Sequence, residues 1–319
     1  MKRTKNPAKE AEYRKRAADL VAQMTLHEKV SQMLSWAPAI ERLGIPAYNW
    51  WSEGIHGVGR AGTATVFPQA IGMAAAFDED MMEQVGNAIG VEARGKYNMC
   101  RAHGDRDIFK GLTVWAPNIN IFRDPRWGRG HETYGEDPFL TSRLGVRFVE
   151  GMQGDDPDYL QAAACAKHFA VHSGPESDRH HFNAIVSKQD LWETYLPAFR
   201  ALVKEAGVEA VMGAYNRTNG EPCCGSKTLL KDILRDKWHF DGHVTSDCWA
   251  IKDFHTGHMV TDGPVESVAL AVNNGCDLNC GDLYVYLEQA VAEGKLSEEK
   301  IDESLTRLYV TRMRLGMFD

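Results

Sequence analysis

The chain has 319 residues, of which 44% are hydrophobic and 25% are charged, and its formal net charge at pH 7 is -8. This length fits either one large barrel, which needs about 250 residues, or two medium-sized domains. Because the chain is acidic overall and shows no concentrated basic face, we expect no binding to nucleic acid. No stretch approaches the ~18 consecutive apolar residues of a membrane span, so we expect no membrane insertion.

The N-terminal segment and the cysteines bear on the location of the protein. Residues 1–24 carry basic side chains but no apolar run behind them, which is unlike a signal peptide. The chain has seven cysteines, and this odd, scattered set does not resemble a disulfide framework. We therefore expect a cytoplasmic protein whose cysteines are reduced.

Amphipathic helical segments alternate with short apolar runs along the chain. The predicted helices are Tyr13–Leu34, Asp80–Asn98, Leu140–Gln153, Lys188–Ala206, Lys227–Trp238, Val265–Asn274, Tyr284–Ala292 and Glu298–Leu315. The predicted strands are Thr113–Phe122, Ala162–Val171, Ala210–Tyr215, Gly242–Ser246 and Gly275–Leu278. Strands that alternate with helices predict parallel βαβ units, which form either an open doubly wound sheet or a closed barrel.

Polar groups at the ends of the apolar runs favour the barrel. The sequences RDPR, KH, YN and SD stand at the ends of four successive runs. In a barrel the carboxyl ends of the strands converge on one mouth, where the active site is built. A nucleotide-binding sheet would require a glycine-rich turn that opens a helix after a strand, and none follows the predicted strands. We therefore predict an α/β protein with a single (β/α)₈ barrel over residues 1–319.

The segment GHVTSDCW, residues 242–249, places Ser246 and Asp247 at the end of a predicted strand. A carboxylate that is withdrawn from solvent on a rigid element suits a nucleophile or a general base. Asp247 could equally be the N-cap of the helix that follows. The residues alone leave both interpretations open.

The run CAKH, residues 165–168, lies at the end of another predicted strand. Neighbouring side chains on a strand point to opposite faces, so Lys167 and His168 share one pocket only at a bulge or a strand end. There the pair would donate hydrogen bonds to hydroxyl groups or to a carboxylate. The alternative is one surface lysine beside a histidine that is satisfied in the core.

Two loops combine charges with aromatic rings. The loop Arg123–Pro138 holds three arginines among acidic residues, which can bind a polar ligand through arginine forks or pair internally. The segment WWSEGIHG, residues 50–57, sets aromatic rings beside Glu53, and such rings cover the apolar face of a pyranose. One of its two tryptophans is expected to be an ordinary core residue.

Metal-binding patterns are weak in this sequence. The pair Cys276–Cys280 has no second pair at zinc spacing. His180 and His181 follow Asp178 in a polar loop, where metal binding is an alternative. We expect neither a metal nor a cofactor.

Six motifs occur in one order along the chain. They are RLGIPAYNWWSEGIHGV, APNINIFRDPRWGRGHETYGEDP, KHFAVHSGPESDRHHF, VMGAYNRTNGEPCCGSKTLL, GHVTSDCWAI and NNGCDLNCG. Together they resemble the N-terminal barrel domain of glycoside hydrolase family 3, over about residues 20–319. The segments NWWSE, HSGPE, SDC and DLNCG are similar to the bacterial β-xylosidase and β-glucosidase branch of that family.

The resemblance implies roles for individual residues. Asp247 matches the aspartate that forms a covalent glycosyl-enzyme, and Glu53 matches the carboxylate that grips the terminal sugar. The other residues implied to bind substrate are Arg129, Lys167, His168, Met212, Tyr215 and Trp249. Many members have tryptophan immediately after the nucleophile, whereas Cys248 stands there in this chain.

These roles imply a retaining, exo-acting β-glycosidase. Such an enzyme needs one ionised carboxylate that attacks the anomeric carbon in an oxocarbenium-like transition state. We expect the positive charges of Lys167 and Arg129 to lower the pKa of Asp247. The expected substrate is an oligosaccharide or aryl β-glycoside with a terminal β-linked xylose, or glucose.

Retention also needs an acid that protonates the leaving oxygen. In two-domain members it is a glutamate on an α/β sandwich domain after the barrel. This chain ends at RMRLGMFD, so we expect that domain and its glutamate to be absent. Single-domain β-N-acetylglucosaminidases use an Asp–His dyad instead, and Asp178 and His180 lie in the comparable loop.

Two alternatives remain open beside these enzymes. The chain could be a non-catalytic or partner-dependent sugar-binding barrel that lacks the general acid/base. A barrel without its usual second domain also exposes a face that is normally covered, so self-association into a homo-oligomer is another expectation.

Overall fold

A computed structural model describes residues 3–319 of the protein. The α-helices are Pro7–Val21, Leu26–Gln32, Ala70–Ala74, Glu79–Ala102, Pro138–Gln153, Asp253–Thr256, Pro264–Asn273, Leu287–Ala292 and Glu298–Arg314. One helical stretch with π-helical turns combines Lys188–Asp190, Leu191–Tyr195, Pro197–Ala201 and Leu202–Ala206, and Lys227–Lys237 is π-helical. Short 3-10 turns are Glu41–Leu43, Gly130–Glu132, Glu176–Asp178, Cys223–Gly225 and Leu283–Tyr286. Within residues 3–319, no helix combines the length and apolarity that crossing a bilayer requires.

The strands are short. They are β1 (Trp36–Ala37), β2 (Tyr48–Asn49), β3 (Thr113–Val114), β4 (Ala163–Phe169), β5 (Asn183–Ala184), β6 (Ala210–Gly213), β7 (Arg217–Thr218), β8 (Glu221–Pro222) and β9 (His243–Thr245). Strands β5, β7 and β8 form a small separate sheet beside the main one.

The main sheet is barrel-like. Strands β3, β4, β6 and β9 lie side by side in that order, and all their pairings are parallel. Single parallel bridges extend the row, Ser52 with Val114 on one side and Thr245 with Leu278 on the other. The residue after Leu278 bridges Leu34, and the β1–β2 pair joins the two ends. Among residues 3–319, the pairings therefore run in a closed ring.

The α/β class predicted from the alternation of helices and strands is confirmed. The regular eightfold repeat is interrupted at β1 and β2, which pair antiparallel, with Trp36 opposite Asn49. Only residues 38–47 connect them, and a parallel crossover needs about a dozen residues or more. The chain therefore turns back on itself here instead of returning through a helix.

Most predicted helices form, with changes at their ends. The predicted helix Tyr13–Leu34 is divided in two, because Thr25 starts a new helix. The Thr25 side chain accepts a hydrogen bond from the Glu28 backbone N–H, and Glu28 Oε2 accepts one from the Thr25 backbone N–H at 2.8 Å. This reciprocal capping box satisfies donors that would otherwise be unpaired.

Two helices of the outer wall cross at very short range. A Cβ atom on Gly151 of the helix Pro138–Gln153 would lie 2.0 Å from the Glu83 carbonyl oxygen of the helix Glu79–Ala102. In the reverse direction, a Cβ on Gly86 would lie 2.3 Å from the Phe148 carbonyl oxygen. Only glycine permits this approach of the two backbones, and the crossing packs both helices against the sheet.

A disulfide bond joins Cys248 to Cys280, 32 positions apart, with their Cα atoms separated by 4.4 Å. The expectation that all cysteines are reduced is wrong for this pair, whereas Cys100 and the four buried cysteines 165, 223, 224 and 276 are free. The bond ties the segment after β9 to the segment that follows Leu278. Disulfides are typical of oxidising compartments. The cytoplasmic location stays a prediction.

We predict that breaking the disulfide destabilises the barrel at the segment that carries Asp247. Closing a loop of this length contributes roughly 3 to 4 kcal/mol in the chain-entropy model. Cys248→Ala, or reduction of the unchanged chain with a phosphine, should lower the midpoint of thermal unfolding. Cys100→Ala serves as control, since Cys100 is a free cysteine. An unchanged midpoint after verified reduction would contradict the prediction.

Candidate active site

The candidate site lies where the carboxyl ends of β4, β6 and β9 meet. Asp247 stands two residues beyond the end of β9, and Lys167 and His168 belong to β4. Ser246 fixes the backbone between β9 and Asp247. Its N–H donates to the Leu278 carbonyl at 2.8 Å, and its hydroxyl oxygen accepts from the Cys280 N–H at 3.0 Å. The neighbouring strand segment thus sets the position of the carboxylate.

The two oxygens of Asp247 have different surroundings. Oδ1 accepts a hydrogen bond from the Cys248 N–H at 2.8 Å. Oδ2 is buried and has no hydrogen-bond partner among the described residues, and His168 Nε2 lies 3.6 Å away. An N-cap accepts from the second or third residue of a helix, and Asp247 accepts from its immediate neighbour, so the N-cap interpretation is wrong. Asp247 therefore presents one oxygen that accepts no hydrogen bond from residues 3–319.

Burial raises the pKa of Asp247 above the ordinary aspartate value. The positive charges of Arg129, Lys167 and Arg179 and the Cys248 N–H act in the opposite direction, and they only partly offset the loss of solvation. The prediction that Lys167 and Arg129 leave this pKa lowered was wrong in its net direction. The cations limit the rise instead of reversing it.

Lys167 and His168 both turn into the site because β4 is irregular there. The pairing of β4 with β6 shifts register between Ala166 and Phe169. The peptide bonds Lys167–His168 and Phe169–Ala170 are cis within this segment. Both polar side chains are almost fully buried, and Lys167 Nζ lies 3.5 Å from Glu53 Oε2. A shared pocket for this pair required a bulge or a strand end, and the register shift is such an irregularity.

Glu53 is held by the tryptophan two positions before it. The indole N–H of Trp51 donates to Glu53 Oε1 at 2.8 Å. The Trp51 ring stacks on Trp115, with ring centroids 5.5 Å apart and planes at 21°. Trp50 is a core residue that packs edge-on against Tyr48. The two adjacent tryptophans therefore have different roles, as the sequence suggested.

Arg129 is paired within its own loop. Its guanidinium donates to both oxygens of Glu132, at 2.7 and 2.8 Å, and Asn118 donates to the same carboxylate at 3.3 Å. Burial acts to raise the pKa of Glu132, but the Arg129 hydrogen bonds outweigh it and hold that pKa at about 2. Sequence reasoning missed Glu132, although its spacing of three from Arg129 across a 3-10 turn is a usable signal. Arg129 still contributes positive potential at Asp247.

Tyr215 and Arg179 form the side of the site next to Asp247. Burial raises the pKa of the Tyr215 hydroxyl, and the charge of Asp247 raises it further. The Arg179 guanidinium lies over the Tyr215 ring, 5.6 Å from its centroid. Arg179 was not predicted, although it stands between Asp178 and His180 in the same polar loop. Met212, which the resemblance implied to bind substrate, is buried within β6, the strand that precedes Tyr215.

Trp249 is on the rim and not inside the site. Its side chain is 52% exposed, and its backbone N–H donates to the Cys280 carbonyl at 2.6 Å. Its φ of 62° lies in the left-handed region, which is uncommon for a bulky residue. This conformation follows directly after Cys248, whose sulfur is bonded to Cys280.

The predicted Asp178–His180 dyad is not formed. His180 Nδ1 lies 2.8 Å from Asp253 Oδ2, and the ring is half exposed beside the edge of Tyr215, with centroids 5.0 Å apart. The Asp178 main-chain carbonyl accepts from the N–H groups of His181 and Phe182. The true partner, Asp253, lies 73 positions further along the chain, which no local spacing could show.

The assembled groups suit a neutral, hydroxyl-rich ligand. At Asp247, one carboxylate oxygen has no hydrogen-bond partner among the described residues. The donors and acceptors around it belong to Glu53, Arg129, Lys167 and His168. Among residues 3–319, no three or more metal-ligating side chains lie together. The arrangement provides a buried carboxylate and a ring of hydrogen-bonding groups.

Comparison with known proteins gives concordant results. The sequence is 49% identical over 312 residues to a xylan 1,4-β-xylosidase of Xylanibacter ruminicola, covering 96% of this chain and 36% of that protein. It is 44% identical to the probable β-D-xylosidase 7 of Arabidopsis thaliana, covering 96% of this chain and 42% of that protein. The chain thus spans well under half the length of these curated relatives.

Solved structures show the same fold. The GH3 exo-β-xylosidase XlnD, in complex with a xylobiose aziridine activity-based probe, matches with a TM-score of 0.89 and 34% identity, over 96% of this chain and 41% of that one. A β-glucosidase from Listeria innocua, in complex with isofagomine, matches with a TM-score of 0.81 and 30% identity, over 95% of this chain and 46% of that one. The family model of the glycosyl hydrolase family 3 N-terminal domain matches residues 16–311. The chain belongs to glycosyl hydrolase family 3.

Proposed function

We propose that this chain is the nucleophile-bearing barrel of a retaining, exo-acting β-xylosidase, with Asp247 as the nucleophile. The observation that carries the proposal is the free Oδ2 of Asp247, which is buried and has no hydrogen-bond partner among the described residues. A carboxylate that is only structural has its oxygens paired when it is buried. An unpaired oxygen among cations is the arrangement that attack on a sugar carbon requires.

In the proposed first step, Asp247 Oδ2 forms a bond to the anomeric carbon while the bond from that carbon to the leaving oxygen breaks. The leaving oxygen takes up a proton. In the second step a water molecule gives its oxygen to the anomeric carbon, releases a proton to a base and frees Asp247. The Cys248 N–H on Oδ1 stays in place through both steps and holds the carboxylate in orientation.

The remaining polar groups are proposed to hold the terminal sugar. Lys167 Nζ and Glu53 lie within 3.5 Å of each other and offer a donor and an acceptor to adjacent hydroxyl groups. The stacked pair Trp51 and Trp115 closes the wall behind Glu53. Support for xylose as the sugar comes from the relatives named as xylosidases.

The proton donor for the leaving oxygen is proposed to come from outside these pocket residues. His180 is the donor candidate named from the sequence, but it is half exposed and its contacts are with Asp253 and the edge of Tyr215. Domains that accompany barrels in the longer relatives, or a second copy of this chain, are the proposed sources.

Asp247→Asn is predicted to abolish covalent labelling by a 2-fluoro β-xyloside, because the amide cannot attack the anomeric carbon. The unchanged chain should be labelled, and faster by the xylose-configured probe than by its glucose-configured counterpart. Since burial raises the pKa of Asp247, its ionised form costs stability at neutral pH, so the variant should unfold at the same or a higher temperature. Intact-protein mass spectrometry and thermal unfolding measure the two effects.

Asp282→Asn is the matched control for this variant, because Asp282 is an exposed aspartate near the same rim. It should label at the rate of the unchanged chain. Normal labelling of Asp247→Asn, or no labelling of the unchanged chain, would overturn the assignment. Faster labelling by the glucose-configured probe would move the proposal to β-glucosidase.

The labelling rate is predicted to rise with pH on the acid side, with a midpoint above the ordinary aspartate range of about 3.9. Asp247 must be ionised to attack, and its pKa is raised by burial. Arg179→Gln removes a positive charge that favours the ionised form, so the midpoint should move to higher pH. Arg179→Lys keeps the charge and should move it less. A midpoint that falls in Arg179→Gln would contradict this electrostatic account.

Activated aryl xylosides are predicted to be cleaved far faster than xylobiose by this chain alone, because a good leaving group needs little protonation. His180→Gln should leave the ratio of the two rates unchanged. Steady-state rates on p-nitrophenyl β-xyloside and xylobiose measure this ratio. If His180→Gln loses xylobiose turnover and keeps aryl xyloside turnover, His180 is the acid and the proposed outside donor is wrong.

A further inference from the structure

Two buried histidines beside Asp247 are each held by an asparagine in the same way. His168 Nδ1 lies 2.9 Å from Asn120 Oδ1, and His172 Nδ1 lies 3.1 Å from Asn216 Oδ1. The two imidazoles touch edge to face, with centroids 4.9 Å apart. In each ring, Nδ1 therefore contacts an amide oxygen, and Nε2 does not.

The backbone fixes the orientation of the Asn120 amide. Its Oδ1 also accepts from the His168 backbone N–H at 2.8 Å, and its Nδ2 donates to the carbonyls of His168 and Ala170 at 2.8 and 3.4 Å. A reversed amide would set its NH₂ against a backbone N–H and its oxygen against two carbonyls. The oxygen must therefore face His168, independently of how side-chain amides are assigned.

This orientation determines where the His168 proton lies. An amide oxygen only accepts, so Nδ1 must carry the proton that is donated to it. The ring is neutral, because burial strongly lowers its pKa and nearby cations lower it further. In a neutral imidazole with a protonated Nδ1, the other nitrogen is an acceptor. His168 Nε2, 3.6 Å from Asp247 Oδ2, thus presents a lone pair and no proton.

The charged and titratable groups that face His168 all come from the elements packed around it. They are Arg129, Lys167, His172 and Arg179, which disfavour a charged ring, and Asp247, whose carboxylate lies closest to Nε2. A carboxylate at this distance would favour a donor at Nε2 if the ring were free to change its tautomer. Asn120 prevents that change.

We propose that Asn120 is a positioning residue that keeps the His168 proton on Nδ1, so that Asp247 Oδ2 receives no hydrogen bond from this ring and stays free to attack. The proposal rests on the function proposed for Asp247. A donor at Nε2 would occupy the attacking lone pair and stabilise the carboxylate in its resting state. With Nε2 as an acceptor, the same nitrogen can instead receive a substrate hydroxyl.

The first test reads the tautomer directly. Nitrogen NMR of the full chain labelled with ¹⁵N-histidine, with His168→Gln for assignment, should show His168 protonated at Nδ1 and unprotonated at Nε2. This measurement does not depend on activity, so it separates failure of this proposal from failure of the function proposed for Asp247. A protonated Nε2 in the unchanged chain would overturn the proposal.

The second test changes the tautomer. In Asn120→Asp the new carboxylate favours a doubly protonated His168, whose Nε2 then donates to Asp247 Oδ2. Labelling by the 2-fluoro β-xyloside should be roughly tenfold slower than in the unchanged chain at about pH 5 and should approach it at about pH 8, as the ring loses its proton. A purely structural defect would slow labelling at both pH values.

Asn216→Asp is the matched control. It makes the same change beside His172, whose Nε2 has no hydrogen-bond partner among the described residues and therefore makes no hydrogen bond to Asp247. Its labelling should follow the unchanged chain at both pH values. Equal pH profiles for Asn120→Asp and Asn216→Asp would show that Asn120 has no specific effect on Asp247 and would overturn the proposal. If Asn120→Asp does not fold, the tautomer measurement decides alone.

Discussion

The site depends on one constraint, which is that Asp247 is buried while one of its oxygens has no hydrogen-bond partner among residues 3–319. Burial of an unpaired carboxylate is unfavourable, and it persists only where surrounding structure prevents the group from turning to a donor. Ser246, the Cys248 N–H and the disulfide to Cys280 together supply that restraint. The favourable free energy of folding of the closed sheet and its helices therefore offsets the unfavourable burial of the Asp247 carboxylate.

At the opposite ends of the strands, buried acidic residues have cationic partners, unlike Asp247 Oδ2. Asp277 is fully buried, but Arg235 and Arg307 each lie 2.9 Å from it, and their charges outweigh burial and lower its pKa. Glu209, the residue immediately before β6, is paired with Arg314 at 2.9 Å, and its pKa is also lowered. Burial is common to all three acids, so the presence of a directly bonded cation decides the direction of the pKa. The acids with cationic partners thus lie at one end of the barrel, and Asp247, whose Oδ2 has no hydrogen-bond partner among residues 3–319, lies at the other.

Much of the fold could be predicted from patterns within one segment. The helical stretch from Lys188 to Ala206 has the predicted bounds, and Asp247 follows a short strand as expected. For Lys167 and His168, the alternation of strand side chains left two interpretations open, and a shared pocket required a bulge or a strand end; the register shift at this pair is such an irregularity. These successes share one cause, which is that the information lies within a few residues along the chain.

Partners that are distant in sequence could not be predicted. Asp253 replaced Asp178 as the partner of His180, and Cys280 pairs with Cys248 although Cys276 stands nearby in sequence. Disulfide connectivity does not follow from spacing, because only the fold decides which Cα atoms approach each other. The predicted direction of the Asp247 pKa shift was wrong for a related reason. Charges can be counted in a sequence, whereas the solvent lost on burial depends on every element around the group.

The irregular end of β4 links the main-chain geometry to the orientation of the side chains beside Asp247. A regular strand would direct its carbonyls to β3 and β6, but here the carbonyls of His168 and Ala170 turn toward the Asn120 amide. Those carbonyls orient the amide, the amide oxygen selects the protonated nitrogen of His168, and the remaining lone pair faces Asp247. The position of a single proton in the site is thus set by main-chain geometry. Because the same departure from regular pairing brings Lys167 into the pocket, the strand irregularity provides both the cation beside Glu53 and the acceptor beside the Asp247 carboxylate.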